Sequence, residues 1–311
     1  MLGYSVVIPV YNSETTLLEL YNRTQSVFKN ITSSFEIIFV DDGSQDKSWQ
    51  KLEELRIKDK RVRIIQLMRN FGQHNAIMCG FHFVHGEYII TMDDDLQNPP
   101  EEIPKLINKI KEGYDLVYGE YIYKKHNLLR NIGSSVIQLV YKRVFNVCNN
   151  LTAFRIIKKE LVQSILNFDK NYVFIDGLLA WNTKNIGYIP LLHYERKHGK
   201  SGYSLKKLLT LSLNMITNFS IVPLQIASLL GLLFAFSGFF MAMFFFVKKI
   251  IFDIPVSGYT SLIIAITIFS GVQLMTLGLI GEYIGRIHIN INKKPQYEIR
   301  IISSNDDLKI K

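Results

Sequence analysis

Apolar and polar positions follow two alternating patterns over the first 120 residues of the chain. Short apolar runs predict five strands, at residues 5–9, 36–40, 63–67, 88–92 and 116–119. Segments with apolar residues three and four positions apart predict helices between them, at residues 15–28, 48–58, 75–85 and 101–112. Such alternation is typical of an α/β domain in which helices cover a mainly parallel sheet.

Further along the chain, charged residues disappear from two long stretches. No charged side chain occurs between Lys207 and Lys248, or between Asp253 and Glu282. Each stretch is longer than the roughly 20 apolar residues that a helix needs to cross a membrane. We predict two transmembrane helices, at about residues 221–247 and 259–281. A buried helical hairpin is the alternative, although helices of soluble proteins rarely lack charge on every face.

The sequence therefore divides into four parts. We predict an α/β domain at residues 1–200, an interfacial segment at 201–220, two transmembrane helices within 221–284 and a tail at 285–311. In the interfacial segment, polar residues recur every four positions, at Lys206, Thr210, Asn214 and Asn218. This spacing predicts an amphipathic helix lying in the membrane interface, and a simple extension of the first transmembrane helix is the alternative.

The net charge of +9 at first suggests a nucleic-acid partner. The basic residues are spread along the chain, however, and no nucleic-acid-binding motif accompanies them, so we exclude that class. Basic residues beside the apolar stretches, such as Lys206, Lys207 and Arg286, suit anionic membrane lipid and a phosphate substrate. Their bias predicts that the α/β domain and both termini are cytosolic. Two cysteines provide no disulfide framework, in agreement with a reducing compartment.

Polar, turn-forming residues follow the first four predicted strands. The segments read Pro-Val-Tyr-Asn, Asp-Asp-Gly-Ser, Arg-Asn-Phe-Gly and Asp-Asp-Asp-Leu-Gln. Because ligands of open parallel sheets bind outside the carboxyl ends of the strands, we expect these segments to form one site. In the second segment, the Asp42 carboxylate can accept hydrogen bonds from a base or ribose, and Gly43 allows a close approach. An Asp-Gly pair also marks ordinary turns, so this segment alone is not specific.

Asp93, Asp94 and Asp95 end an apolar strand. Three adjacent carboxylates repel one another, which favours protonation of one of them unless a cation neutralises the charge. Because side chains alternate along a strand, we expect Asp93 and Asp95 to point one way and Asp94 the other. Oxygen ligands of this kind suit Mg²⁺ or Mn²⁺ shared with substrate phosphates. The alternative is a solvated acidic turn that precedes the helix beginning near Glu101.

Four motifs in this order resemble those of the family 2 glycosyltransferases. They lie at residues 6–12, 40–44, 69–72 and 93–101. Within that family the chain resembles the polyprenyl-phosphate branch, which includes dolichyl-phosphate mannose synthase and bactoprenol glucosyltransferase. Residues 72–78 are similar to undecaprenyl-phosphate formamido-arabinose transferases. The resemblance covers residues 4–295 and implies a Rossmann-like GT-A catalytic domain followed by a two-helix membrane anchor.

The resemblance also implies roles for individual residues. Metal ligands would be Asp93, Asp95 and Gln97, with Mg²⁺ or Mn²⁺ as cofactor. Residues that match the donor pocket are Pro9, Tyr11, Glu14, Asp42 and Asp93. Residues that match the acceptor-phosphate positions are Arg130, Ser134, Arg196 and Ser201. Asp95 would act in catalysis, and Asp176 is the candidate acidic helper, with a helix cap as its alternative role.

Some positions depart from the family pattern. Many relatives have Glu directly after Tyr-Asn, whereas Ser13 intervenes here before Glu14. Relatives often carry Asp before Phe-Arg, sometimes proposed as a base, and this chain has Ala153 there. These departures concern the base and the sugar contacts rather than the reaction class. An acceptor phosphate is already mostly dianionic at neutral pH, so it needs positioning by Arg130 and Arg196 more than deprotonation.

The resemblance implies metal-dependent, inverting transfer of a sugar from a nucleotide sugar to a polyprenyl phosphate at the cytosolic face of a bacterial inner membrane. A homo-oligomer is compatible with the sequence. A transferase with a hydroxyl acceptor is one alternative, and it would need a base. A processive polysaccharide synthase is another, but it should carry a Gln-x-x-Arg-Trp motif and more transmembrane helices. A non-enzymatic membrane scaffold is the third, and the intact Asp93, Asp95 and Gln97 argue against it.

Overall fold

The computed structural model describes residues 2–31, 34–121, 152–168, 173–192, 194, 221–252, 258–292 and 295–303. The chain forms two compact units. We call Met1–Tyr203 together with Lys293–Lys311 the sheet unit, and Ser204–Asn292 the helical unit. The predicted acceptor residues Arg130, Ser134, Arg196 and Ser201 lie outside the described residues, as does the predicted interfacial segment 201–220.

Strands in the described part of the sheet unit form one mixed sheet. They are β1 (Tyr4–Val10), β2 (Phe35–Asp41), β3 (Val62–Leu67), β4 (Tyr88–Thr91), β5 (Leu116–Tyr121), β6 (Arg155–Lys158), β7 (Ile186–Leu191) and β8 (Ile299–Ser303). Their order across the sheet is β7-β5-β6-β4-β1-β2-β3-β8. The pairs β1–β2, β1–β4, β2–β3 and β5–β7 are parallel, whereas β6 and β8 run antiparallel to their neighbours. The predicted α/β architecture with a mainly parallel sheet is confirmed.

The first four helices lie at nearly the predicted positions, and two further helices follow that the sequence patterns did not predict. In chain order, these helices are α1 (Leu17–Ile31), α2 (Ser48–Lys58), α3 (Gln73–Phe81), α4 (Ile103–Ile110), α5 (Lys159–Leu166) and α6 (Ile175–Asn182). Every residue of β1 and β2 is buried, as expected for central strands that are covered on both faces. On one side, the rings of Phe28 in α1 and Phe35 in β2 stack 4.5 Å apart. The carboxyl ends of β1 to β4 remain uncovered by this packing, so the loops that follow them can form a site.

The C-terminal segment differs from the sequence prediction. The sequence predicts a tail from residue 285 onward, whereas the second long helix continues to Ile291 and Ile299–Ser303 form β8. β8 pairs with β3 at the edge of the sheet, from Ser303 opposite Ile64 to Ile299 opposite Leu67. Strand partners so far apart in sequence share no local pattern, which is why the prediction of a tail is wrong here.

The helical unit contains α7 (Val222–Phe252) and α8 (Tyr259–Ile291). Two segments in them are long and apolar enough to cross a membrane: Val222–Lys248, with a mean hydropathy of 2.3, and Ile268–Ile291, with 1.2. Neither segment is buried within the protein. Large apolar side chains such as Phe240 and Leu274 are therefore exposed, an arrangement that suits lipid rather than water. The prediction of two long apolar helices is confirmed, although the second apolar span lies further along the chain than predicted.

Candidate functional site

Loops that follow β1, β2, β3 and β4 meet at the carboxyl edge of the sheet. The amide N–H of Asn12 donates to the Ser44 hydroxyl oxygen at 3.0 Å, which joins the first two loops. The amide N–H of Phe71 donates to an Asp42 carboxylate oxygen at 2.7 Å, which joins the second and third. The structure thus brings together the segments that the sequence analysis expected at one edge.

Asp93 and Asp94 contact different neighbours, although both lie beyond the end of β4 at Thr91, where the alternation of a strand no longer applies. An Asp94 oxygen accepts hydrogen bonds from the Tyr11 amide, at 3.1 Å, and from the Ser13 hydroxyl. Asp93 accepts a hydrogen bond from the side-chain amide of Gln73, at the start of α3, at 2.6 Å. We call Asp93, Asp94 and Asp95 the acidic cluster. Ser13, which departs from the family pattern, therefore holds Asp94, whereas Asp93 contacts the start of α3.

Asp95 lies at a sharp reversal of the chain. Its carboxylate accepts the amide N–H of Gln97 at 3.1 Å. Leu96 between them has a φ of 60°, a left-handed conformation that is uncommon for a residue other than glycine. Backbone conformations of this kind persist where the surrounding structure fixes them, and they concentrate at functional sites. The buried Leu96 side chain, only 3% exposed, anchors this reversal in the core.

Burial and mutual repulsion perturb the acidic cluster. The pKa of Asp93 is raised to about 7, first by burial and then by the neighbouring charges of Asp95 and Asp94. Burial likewise raises the pKa of Asp94 to about 6, although the hydrogen bond from Ser13 opposes the shift. Negative charge at this edge is thus only partly compensated by the protein, which is the electrostatic condition that favours a bound cation.

The donor set fits a hard divalent cation. Asp93 and Asp95 offer carboxylate oxygens and Gln97 an amide oxygen, the ligand types that Mg²⁺ and Mn²⁺ prefer. Within the described residues, no group of three or more His, Cys, Asp or Glu side chains is arranged to hold a metal ion. A cation here would accordingly take part of its coordination from substrate or water, as Mg²⁺ commonly does.

Asp42 holds the loop after β3. Its two carboxylate oxygens accept the amide N–H groups of Phe71, at 2.7 Å, and Gly72, at 2.8 Å. Asp42 is only 3% exposed, and burial raises its pKa to about 6 despite these hydrogen bonds. Gly43 has a φ of 72°, and a Cβ atom there would lie 2.7 Å from the Arg69 carbonyl carbon. The two loops therefore pack backbone against backbone, and only glycine fits at position 43.

The remaining predicted donor residues lie around the first loop. Pro9 is buried within β1, whereas the Tyr11 side chain directly after the strand is 46% exposed. Glu14 accepts the amide N–H of Lys47 at 2.9 Å, before the start of α2. Glu14 is thus engaged with the loop that leads into α2, and Tyr11 is the predicted donor residue with an exposed aromatic ring.

Asp176, the predicted acidic helper, lies in a buried ion pair. Its carboxylate pairs with the Arg155 guanidinium and accepts the Tyr118 hydroxyl at 2.9 Å. Arg155 is 1% exposed and Asp176 8%. Arg155 stands opposite Thr91 in β4 and opposite Tyr118 in β5, so these side chains form a row across three strands. Phe154 and Arg155 match the Phe-Arg pair of relatives, but the sequence alone predicted no role for Arg155 or Tyr118.

His74 connects this buried group with α3. Its ring packs edge-on against Phe174 at a centroid distance of 5.4 Å, and burial lowers its pKa. His74 directly follows Gln73, the partner of Asp93. At the start of α3, Gln73 thus contacts the acidic cluster, and the next residue, His74, contacts Phe174 just before α6.

The segment after β7 is hydrogen-bonded to the loop after β4, which contains the acidic cluster. The Tyr194 amide N–H donates to the Gln97 carbonyl at 2.9 Å, and the Leu192 amide N–H donates to Glu102 at 3.2 Å. The side-chain amide of Gln97 also approaches the Tyr194 carbonyl, at 3.4 Å. Gln97 therefore joins the loop after β4 to the stretch that leads into Arg196, which lies outside the described residues.

Comparison with known proteins agrees with this geometry. The model of the family described as "Glycosyl transferase family 2" matches residues 5–167. An undecaprenyl-phosphate 4-deoxy-4-formamido-L-arabinose transferase from Photorhabdus laumondii is 36% identical over 307 residues, covering 97% of this chain and 94% of its own length. A transferase of the same name from Yersinia enterocolitica is 37% identical over 301 residues, covering 95% and 92%.

A solved structure shares the fold of the sheet unit. Glucosyl-3-phosphoglycerate synthase from Mycobacterium tuberculosis, in complex with Mn²⁺, uridine diphosphate and phosphoglyceric acid, aligns with a TM-score of 0.53. The alignment covers 69% of this chain and 76% of that one, at 18% sequence identity. At this level of identity the likeness concerns the fold.

We expect the Arg155–Asp176 pair to stabilise the protein strongly only while it is complete. Arg155→Met leaves a buried carboxylate without its cation, which should lower the free energy of unfolding by about 3–5 kcal/mol. Asp176→Leu should have a similar effect, whereas the double variant should lose much less because it buries no unpaired charge. Chemical denaturation of the detergent-solubilised protein, followed by near-ultraviolet circular dichroism, measures the difference.

The exposed pair between Arg23 and Glu101, 2.6 Å apart, provides the matched control. Arg23→Met should change the free energy of unfolding by less than about 1 kcal/mol. A double Arg155→Met, Asp176→Leu variant as unstable as the two single changes combined would contradict the interpretation of a mutually compensating pair.

Proposed function

The chain belongs to glycosyl transferase family 2, and we propose that it transfers a sugar from a nucleotide sugar to a polyprenyl phosphate. The observation that carries this proposal is the partly compensated acidic cluster at the carboxyl edge of a mostly parallel sheet. Nucleotide diphosphates bound with a divalent cation are the ligands that such a cluster suits. The names of the Photorhabdus and Yersinia relatives, similar over nearly their whole length, support undecaprenyl phosphate as the acceptor.

Asp93, Asp95 and Gln97 would hold Mg²⁺ or Mn²⁺ together with the diphosphate of the donor. When bound, such an ion stabilises the negative charge of the departing nucleoside diphosphate as a Lewis acid. The protein's own part is to fix these oxygens, through Gln73 on Asp93 and through the reversal at Leu96 on Asp95. The exposed Tyr11 ring and the loops joined by Asp42 would line the nucleoside pocket, with Pro9 and Glu14 supporting them.

The acceptor would be held by positive charge. We propose that Arg130, Ser134, Arg196 and Ser201 bind its phosphate, because the sequence matches family positions of that role. Charge-assisted hydrogen bonds from arginine suit phosphate oxygens. One direct displacement by that oxygen would invert the anomeric centre, and the attacking phosphate needs no proton removed because it is mostly dianionic at neutral pH.

Asp176 would position other groups rather than remove a proton. Its carboxylate is already engaged by the Arg155 guanidinium and the Tyr118 hydroxyl in a buried setting. A buried ion pair of this kind holds the carboxylate in a fixed orientation, directed toward its partners. This arrangement favours the phosphate acceptor over a hydroxyl acceptor, which would require a base.

We propose that the sheet unit lies on the cytosolic side of the membrane. The sheet unit contains residues on both sides of the helical unit in sequence, because β8 follows α8 and joins β3. Two crossings by α7 and α8 would return the chain to the side that it left, which agrees with the pairing of β8 and β3 in one sheet. The basic residues near the helices favour the cytosolic side.

Asp95→Asn should nearly abolish transfer while leaving the fold intact. Loss of one anionic ligand weakens the binding of both the metal and the diphosphate, and we expect activity to fall by about a hundredfold or more. Transfer is measured with short polyprenyl phosphates and a panel of nucleotide sugars, and the fold by circular dichroism. Glu53→Gln on the exposed face of α2 is the control. Normal turnover of Asp95→Asn at saturating Mg²⁺ or Mn²⁺ would exclude the metal assignment.

Arg130→Ala should impair use of the acceptor and spare the donor. Removal of one charge-assisted contact to a phosphate costs on the order of 1.5–3 kcal/mol, or about ten- to a hundredfold, in the KM for polyprenyl phosphate, in kcat, or in both. Donor affinity, measured by calorimetry with metal, should remain that of the wild type. Lys58→Ala at the exposed end of α2 controls for the lost charge. Collapse of donor binding with unchanged acceptor dependence would assign Arg130 to the nucleotide pocket instead.

Accessibility labelling tests the topology. A cysteine introduced at Ser257, between α7 and α8 in the sequence, should react with an impermeant maleimide only from the non-cytosolic side. A cysteine at Ile57, whose side chain is 75% exposed in the sheet unit, should react only from the cytosolic side. Both variants are made with the native Cys79 and Cys148 replaced by alanine. Labelling of both positions from one side would contradict two crossings.

A further inference from the structure

The end of β3 is held by the C-terminal segment of the chain. The Met68 amide N–H, directly after β3, donates to the Glu298 carbonyl at 2.9 Å. The Met68 carbonyl accepts a hydrogen bond from the Arg300 guanidinium at 3.1 Å. Both backbone polar groups of Met68 are therefore satisfied by residues 298–300. The pairing shifts register between Gln66 and Leu67, so the contact includes a local irregularity of the strand at this point.

The C-terminal segment has its own anchors in the sheet unit. The Tyr297 ring packs against His82, after the end of α3, at a centroid distance of 6.2 Å. The side-chain amide of Gln296 donates to the Phe168 carbonyl. Residues 296–303 are thus fixed at three places: beside α5, beside α3 and along β3. Because these anchors do not involve the loop after β3, the segment can serve as a fixed support for that loop.

Three to five residues after Met68, the same loop and the first residue of α3 hold both parts of the candidate site. The amides of Phe71 and Gly72 bind Asp42, and the side chain of Gln73 binds Asp93. Gly43 leaves no room between the loops, since a Cβ atom there would lie 2.8 Å from the Asn70 nitrogen. A displacement of Met68 would consequently be transmitted to the hydrogen bonds of two carboxylates.

We propose that residues 296–303 are a positioning element for the donor site, with Arg300 and the Glu298 carbonyl setting the loop after β3. The inference rests on the proposed function only in assigning the donor to this edge of the sheet. Without β8, the Met68 amide and carbonyl would lose their partners and β3 would become the edge strand of the sheet. The loop of residues 68–72 would then have to be ordered at the moment of binding, which weakens affinity.

The chain reaches this element only after α7 and α8. Residues 292–298 alone separate α8 from β8. A fragment that ends before α7 therefore lacks part of the donor site, even though it contains all four loops of the carboxyl edge. The segment after α8 is on this account a positioning element for the donor site rather than a tail.

Shortening the chain tests the proposal. A protein that ends at Asn292 keeps both apolar helices and loses β8, whereas one that ends at Ser303 keeps the strand and serves as the matched control. Calorimetry measures the dissociation constant of the nucleoside diphosphate, among UDP, GDP and CDP, that binds the wild type best with Mn²⁺. We expect the shorter protein to bind at least about tenfold more weakly and the control to bind as the wild type does.

Addition of a synthetic peptide of residues 293–303 separates positioning from folding. An added strand can pair with an exposed sheet edge through main-chain hydrogen bonds, so the peptide should restore nucleotide binding by the shorter protein. A peptide of the same composition in scrambled order should not. Unchanged nucleotide binding by the protein that ends at Asn292 would overturn the proposal, as would failure of the peptide to restore binding to a protein that is otherwise folded.

Arg300 provides a second variant in case the shortened chain does not fold. Arg300→Ala removes the hydrogen bond to the Met68 carbonyl while the strand remains, and we expect nucleotide binding to weaken by about three- to tenfold. The KM for polyprenyl phosphate and the melting temperature should not change, and Arg300→Lys should recover part of the affinity. Equal effects on donor and acceptor, or none on either, would overturn the positioning role. Because nucleotide affinity is measured without transfer, failure of the proposed reaction would be seen separately.

Discussion

Carboxylates crowded at the carboxyl edge of the sheet must be held in place against their mutual repulsion, and the surrounding loops depend on this constraint. Asp94 is held by Tyr11 and Ser13, and Asp42 by the amides that precede α3. Each N–H or O–H donor favours the ionised form of the carboxylate that it contacts, and so opposes the effect of burial. Hydrogen bonds to these carboxylates thus join the loops to one another. A shift of one loop would break such a hydrogen bond and expose a buried charge.

The negative charge of Asp93 is less completely compensated by protein groups than the charges of its neighbours. The Gln73 amide is the hydrogen-bond donor that contacts it, and this amide is neutral. Arg155 lies in the adjacent row of the sheet and lowers the pKa of Asp93, but its guanidinium is already paired with Asp176. Burial, and after it the charges of Asp95 and Asp94, outweigh these two favourable contacts and raise the pKa of Asp93 to about 7. A bound cation would supply the compensation that the protein leaves incomplete.

The sequence predicted those features that depend on local pattern. Central strands such as Tyr4–Val10 are recognisable because they are apolar throughout, and the acidic cluster because it follows such a strand. Asp93 and Asp94 contact different partners, but they lie in the turn beyond β4, so the strand alternation used for the prediction does not explain their directions. In contrast, the pairing of β8 with β3 and of Arg155 with Asp176 joins residues that are distant in sequence, so neither could be seen in a window of neighbouring residues.

Ala153 illustrates why a departure from the family pattern need not disturb the sheet. The Thr91 hydroxyl donates to the Ala153 carbonyl at 2.6 Å, so this contact is made with the backbone and does not involve the side chain at 153. The neighbouring Arg155 keeps its own partner, Asp176, whatever residue stands at 153. The proposed acceptor is a phosphate that is mostly dianionic at neutral pH, so its attack does not depend on a base at position 153.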